Sequence, residues 1–163
     1  MSAPEPQVAS VSHLGPIYQV AVRELCEFTA KQGDLDVRFT PAPSASEGMA
    51  GHATVAGRRP NGYEREITLT GQYGPLHLRG RADGYDAARN QLEEIKTHRG
   101  DLSRQPENHR HLHSAQARIY GWLLCQQRGL EELNVALVYF DIVSQKETVL
   151  SERHTAAELE AFF

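Results

Sequence analysis

The spacing of apolar and polar positions changes several times along the chain, and each change marks an element. From Pro16 to Gln32 apolar residues recur through Val20, Leu25 and Phe28; Pro16 suits a first turn and Gly33 a stop, which predicts a helix over 16–32. In the Pro/Ser-rich stretch TPAPSASEG, Ser44 and Glu47 have capping-box spacing, so a short helix is expected over 45–56 even though Gly48 and Gly51 weaken it. Between 63 and 98 the period drops to two. EREITLTGQY, LHLRGRADGYD and QLEEIKTH alternate in polarity between Gly/Pro or Ala/Asn breaks, which predicts three strands joined as hairpins. The loop RGDLSRQPEN leads to a long helix over 107–128, stopped by Gly129. NVALVYFDIV reads as a buried strand, KETVLSE as an edge strand, and HTAAELEAFF begins a last helix. This order predicts an α/β domain with a mixed sheet flanked by helices.

A length of 163 residues fits one domain. With 40% hydrophobic and 23% charged residues, the composition excludes a wholly disordered chain, a collagen-like repeat and a coiled coil. No stretch approaches the roughly 18 consecutive apolar residues of a membrane-spanning helix, so no membrane partner is expected. MSAPEPQVAS has neither a basic nor an apolar signal-peptide region, and an intracellular, cytoplasmic setting is expected. Residues 1–15 are read as a loose tail before a domain over 16–163. The last helix stops after one or two turns, which is read as a domain cut from a longer protein. Cys26 and Cys125 lie in apolar helical contexts and are expected as buried free thiols; two cysteines cannot complete a four-cysteine zinc site or an iron–sulfur cluster.

The formal net charge of −4 argues against a dedicated, strongly basic nucleic-acid binder. Its distribution changes the picture. Residues 79–118 hold eight of the 17 Lys/Arg and four of the eight His, but six of the 21 acidic residues, so a basic centre lies between acidic ends.

Asp83 ends an apolar strand, and Glu94 and Lys96 stand two apart on the next one. Residues two apart on a strand share a face, so Glu94 and Lys96 project together while Ile95 points to the core. If the two strands pair, Asp83 approaches Glu94 across them. Two converging carboxylates suit Mg²⁺ or Mn²⁺, and a lysine beside them suits a phosphate oxygen or an attacking water. An E-x-K pair alone is also what a solvated strand face carries.

The string Gly80-Arg81-Ala82-Asp83, then Glu94-Ile95-Lys96, then Gln116-Ala117-Arg118-Ile119-Tyr120 resembles the G-R-x-D, E-x-K and Q-x-x-x-Y motifs of the PD-(D/E)XK nuclease superfamily. The order is most similar to the RecB-like exonuclease branch found fused to DNA helicases. Upstream, Glu47-Gly48-Met49-Ala50-Gly51-His52 resembles that branch's E-G-x-x-x-H element. The resemblance implies a restriction-endonuclease-like core with a central mixed sheet. It implies that Asp83, Glu94, the Ile95 carbonyl and His52 ligate Mg²⁺ or Mn²⁺, that Lys96 positions or activates water, and that Gln116 and Tyr120 orient Lys96 or the phosphate. The branch's iron–sulfur members carry four cysteines, which this chain lacks.

On the long helix, His109, His113, Gln116 and Tyr120 form one stripe. Leu112, Ala115, Ile119, Trp122, Leu123 and Gln126 form a second, mostly apolar one. The first faces either the site or solvent. Arg79, Arg81, Arg99, His109, Arg110 and His113 are candidate phosphate contacts, as are Arg58 and Arg59; each reads equally as a solvated side chain. The His109/His113 pair also has zinc-ligand spacing, without an evident set of further ligands. Tyr63, Tyr73 and Tyr85 suit either base stacking or packing. The function expected is a metal-dependent DNA nuclease leaving a 5′-phosphate and acting on single-stranded, flap or end structures. A helicase module in cis or in trans and nucleoid association on DNA go with it, in repair or recombination. The alternative is a weak or inactive nuclease-like docking module.

Overall fold

The computed structural model describes residues 15–33 and 42–163; of the expected tail over 1–15, residues 1–14 lie outside the described residues. Six strands form one mixed sheet with four helices against it: β1 (Tyr18–Ala21), α1 (Val22–Thr29), α2 (Ala45–Gly57), β2 (Glu64–Tyr73), β3 (Leu76–Asp86), β4 (Gln91–His98), α3 (Glu107–Arg128), β5 (Glu132–Asp141), β6 (Lys146–Thr155) and α4 (Ala156–Phe162). This is an α/β fold compatible with a restriction-endonuclease-like core. A 3-10 turn over Leu102–Arg104 precedes α3. No helix among the described residues is long and apolar enough to cross a membrane.

The helix predicted over 16–32 is corrected. Its first residues form β1, which pairs in parallel with β3 from Tyr18↔Leu76 to Ala21↔Arg79, and only Val22–Thr29 are helical. Ile17, Tyr18 and Val20 suit a strand, and the free backbone edge of β3 supplies the hydrogen bonds that decide it. The remaining elements lie where the periodicity predicts. Ser44 and Glu47 close a capping box on α2, and Gly129 takes the left-handed conformation, φ 65°, after α3.

β2 covers one edge of β3 from Tyr73↔Leu76 to Glu64↔Tyr85. The opposite edge of β3 is shared by two strands placed end to end. β1 takes Leu76–Arg79, and β4 takes only Gly84–Asp86. Between them the backbone of Gly80–Asp83 has no strand neighbour on that side, so the sheet forks. β4 then pairs in parallel with β5, and β5 antiparallel with β6.

α1, α3 and α4 pack together, with α1 and α3 lying over the sheet. The larger core lies between them and the sheet, with Trp122, Leu123, Leu124, Leu69, Leu78, Leu92 and Leu133 almost wholly buried. Each such aliphatic side chain stabilises the fold by about 1.5–3 kcal/mol. α2 covers the other face through a smaller cluster of Val55, Ile95, Val138 and Phe140. Of the second α3 stripe, Leu112, Ala115, Ile119, Trp122 and Leu123 are buried as predicted, while Gln126 is exposed. Both cysteines are buried free thiols. Burial, with Glu94 nearby, pushes Cys26 up to about 12, so it presents no thiolate at neutral pH.

Candidate active site

The fork creates the site. Asp83 is the last unpaired residue of β3 on this side, where the β3–β4 ladder has stopped at Gly84↔Glu93. Its Oδ2 accepts the Ile95 backbone N–H at 2.7 Å, so a carboxylate replaces the missing rung between the strands. On its other side the β2 ladder passes from Arg65↔Gly84 to Ile67↔Ala82, and Glu66, the residue skipped, has φ 50°. Asp83 thus sits where the ladders on both sides break. Tyr120 on α3 reaches into the opening, where its ring and hydroxyl lie against Gly80. Gly80 makes room for this ring: a Cβ there would lie 2.5 Å from Tyr120 Cε1 and 3.0 Å from Val22 Cγ2.

From α2, His52 Nδ1 lies 3.3 Å from Asp83 Oδ1. The hydrogen bond to Asp83 raises the His52 pKa against the opposing effect of burial. On β4, Lys96 Nζ donates to Glu94 Oε1 at 2.8 Å and to Gln116 Oε1 at 2.9 Å. Glu94 is buried, and desolvation raises its pKa while the Lys96 charge opposes the rise. Its second oxygen, Oε2, is buried with no hydrogen-bond partner. His52, Asp83, Glu94, Ile95, Lys96, Gln116 and Tyr120 all line one cleft of about 460 Å³, with Arg23, Glu27, Pro43 and His113 among its other walls. A second groove, of about 540 Å³, meets it at His52, Asp83 and Ile95 and carries Arg65, Arg81 and the exposed Met49.

The orphaned Glu94 Oε2, the Asp83 carboxylate and the His52 imidazole are chemically suited to a hard divalent ion. No group of three or more His, Cys, Asp and Glu side chains is drawn into a ready metal cage among the described residues. Asp83 and His52 are bonded to each other, and Lys96 occupies one oxygen of Glu94.

The candidate phosphate contacts separate into groups. Arg79 and Arg81 project from β3 and are exposed; Arg81 lies 3.6 Å from the exposed Glu66. Arg110 is exposed on the first turn of α3. Arg99 pairs with Glu47, the residue that also closes the α2 capping box. His113 is hydrogen-bonded through Nδ1 to Tyr139 Oη at 3.1 Å, and burial and the Lys96 charge push it down to about 3. His109 lies outside the cleft that holds Gln116 and Tyr120 and lines the next cavity.

Arg58 and Arg59 are not a free charged turn. Arg59 donates to Glu93 at 2.8 Å and Glu147 at 2.9 Å, and Arg58 donates to Glu147 at 3.0 Å. Tyr63 also donates to Glu93, at 2.9 Å. Tyr85 is buried, and Tyr73 packs on Trp122 and Phe163. The Arg59–Glu93–Tyr63 network escaped the sequence reading. Its signal is Glu93 itself, a carboxylate at an inward position of β4 that required a buried donor.

No family model matches the chain, and no curated protein matches it. The chain is similar to the crystal structure of SSO0001, with a TM-score of 0.54 and 23% identity; the match covers 93% of this chain and 76% of that one. At that identity the likeness concerns the fold alone.

Proposed function

We propose that the chain is a divalent-metal-dependent DNA nuclease of the PD-(D/E)XK superfamily, of the RecB-like exonuclease branch. The observation that carries the reading is one arrangement. Lys96 is held between Glu94 and Gln116 in the cleft of a sheet fork that Asp83 caps, beside a buried carboxylate oxygen with no partner. Asp83, Glu94, the Ile95 carbonyl and His52 would hold Mg²⁺ or Mn²⁺, with His52 giving up its bond to Asp83. Such an ion lowers the pKa of bound water and neutralises charge on the phosphate. Lys96 donates to a phosphate oxygen or orients the water. Water oxygen bonds to phosphorus, the bond from phosphorus to the 3′ oxygen breaks, and the products carry a 5′-phosphate and a 3′-hydroxyl. Gln116 fixes the Lys96 ammonium, and Tyr120 holds the fork open. Arg79, Arg81 and Arg110 supply exposed positive charge for the DNA backbone. The substrate would be single-stranded, flap or end DNA, presented by a helicase module in cis or in trans during repair or recombination in the cytoplasm.

The test is cleavage of end-labelled single-stranded DNA and a flap duplex with Mn²⁺, Mg²⁺ or EDTA, beside Asp83→Ala. Metal-dependent cleavage that Asp83→Ala abolishes is the expected result. No cleavage and no metal-induced rise in melting temperature overturns the reading. The lack of a ready three-ligand cage favours a second reading, a docking module of the same fold without turnover. A metal-induced melting shift that needs Asp83, without cleavage of either substrate, would select it.

A further inference from the structure

One part of the sheet is covered on a single face. In β2 and β3, Leu69, Leu78 and Ala82 point into the core under α3, and a Cβ on Gly71 would lie 2.5 Å from Leu123 of that helix. The alternate side chains therefore point the other way. They are Thr68 and Thr70 on β2 and His77, Arg79 and Arg81 on β3, with Gln19 of β1 beside His77. Thr68, Thr70, Arg79 and Arg81 are exposed and His77 is half-buried. They line an open groove of about 800 Å³, and every residue that lines it belongs to β1, β2 or β3. α2, the helix on this side, packs over β4 and β5 instead.

The chemistry of the groove selects its ligand. No acidic residue lines it, in a chain with 21 Asp and Glu and a net charge of −4. Arg81 meets only the exposed Glu66, at 3.6 Å, a pair that solvent already weakens. This is a surface for an anion. His77, Arg79 and Arg81 stand at alternate positions, so they repeat every 6.6 Å or so along β3, roughly the repeat of phosphates in an extended single strand. A duplex groove admits a helix or a two-stranded ribbon, and a flat sheet face is neither. Apart from the His77 imidazole no ring lines the groove, so its contacts go to phosphate and sugar and carry no sequence preference. The groove also leads somewhere. Arg81 lines both it and the second groove, which meets the cleft at His52, Asp83 and Ile95.

We propose that this open sheet face is the track along which one unpaired nucleic-acid strand reaches the cleft, with successive phosphates at Arg81, Arg79 and His77 counting away from Asp83. The strand's destination rests on the nuclease reading; the affinity of the face for a strand does not. His77 and Asp83 are six residues apart, about 20 Å of strand. The footprint is therefore the phosphate at the site and three beyond it.

The test reads binding without cleavage. The whole chain, in EDTA and low salt, is titrated into labelled oligothymidylates of increasing length, and anisotropy is followed. Affinity should rise steeply up to about four nucleotides and only gradually beyond. Thr70→Glu sets a carboxylate opposite Arg79, and Thr68→Glu sets one opposite Arg81. Each should weaken binding about tenfold. Gln126→Glu makes the same change of net charge on the α3 side of the sheet and should stay within about twofold. Melting curves check that each variant keeps the fold. Photo-crosslinking of the wild-type chain to a thiothymidine-bearing strand needs no variant, and its adducts should map to β1, β2 and β3.

Equal losses in Thr70→Glu and Gln126→Glu, adducts confined to other elements, or no strand binding at all overturns the track. Equal affinity for a blunt duplex or for an acidic peptide overturns its assignment to a single strand. Metal-dependent cleavage beside affinity that neither threonine variant lowers overturns the track and leaves the nuclease reading standing. Binding that both threonine variants weaken, without cleavage in Mg²⁺ or Mn²⁺, supports the track and overturns the nuclease reading.

Discussion

Lys96 is fixed by two acceptors on different elements, Glu94 on its own strand and Gln116 on α3. On the nuclease reading proposed above, removing its side chain should leave the metal-ligand atoms in place and take away the donor at the phosphate. Lys96→Ala is expected to lower cleavage by about 10²–10⁴-fold, with metal affinity unchanged or raised, read by melting shift against Mn²⁺. Lost metal binding would make Lys96 a structural residue. His113 gives a pH prediction of known sign. Burial first, then the Lys96 charge, push it down to about 3, below its ordinary 6.5. Between those values the unfolded chain holds a proton that the fold does not. Stability is therefore complete above about pH 6.5 and falls as pH drops toward 3, by up to about 1.4 kcal/mol per pH unit. Urea melts from pH 4 to 7 should show this slope, and His113→Gln should reduce it.

At the scale of elements, the placing of α2 decides whether His52 meets Asp83. The helix approaches the sheet closely at Gly51, where a Cβ would fall 2.5 Å from Thr97 Cγ2 and 3.1 Å from Phe140 Cδ1. The sequence marks Gly51 as a helix-weakening residue; packing makes it the contact point. Gly51→Ala should destabilise by about 1–3 kcal/mol in chemical denaturation. It should also weaken the metal-induced melting shift, because it moves His52 with the helix. The end of α2 is anchored through Arg59, only 11% exposed in its side chain, to Glu93, 1% exposed. Arg59→Met strands a buried carboxylate and should cost about 3–5 kcal/mol. A loss below about 1 kcal/mol would mean that the hydrogen bonds from Tyr63 and Gln91 suffice to hold the Glu93 carboxylate.

On the scale of the molecule, a net charge of −4 leaves no strong general attraction for nucleic acid. On the nuclease reading proposed above, exposed cations near the fork, Arg79 and Arg81 above all, would carry the phosphate contacts. Single-strand affinity should then fall with salt at a log–log slope of about −0.7 for each phosphate neutralised. Arg79→Ala combined with Arg81→Ala should make that slope shallower by roughly 1.4 if each side chain meets one phosphate. An unchanged slope would place the DNA path elsewhere. On the same proposed reading, a helicase module that holds the strand would offset the weak general field by raising the effective substrate concentration.

The sequence by itself determined the elements whose signal is local. The alternation in β2, β3 and β4, the Ser44/Glu47 cap and the Gly129 stop each depend on residues a few positions apart, and the structure places them as read. The same-face relation of Glu94 and Lys96 was legible for that reason, since strand periodicity fixes it. Tertiary structure alone decided the rest. Residues 18–21 became a strand because β3 offered an unpaired edge 58 residues further on. Arg59 found Glu93, Arg99 found Glu47, and burial and the Lys96 charge lowered the His113 pKa, none of which a local window contains. The fork is the deepest case. Asp83 gains its position from two strands that share one edge of a third and leave a gap, and no residue in the gap announces it.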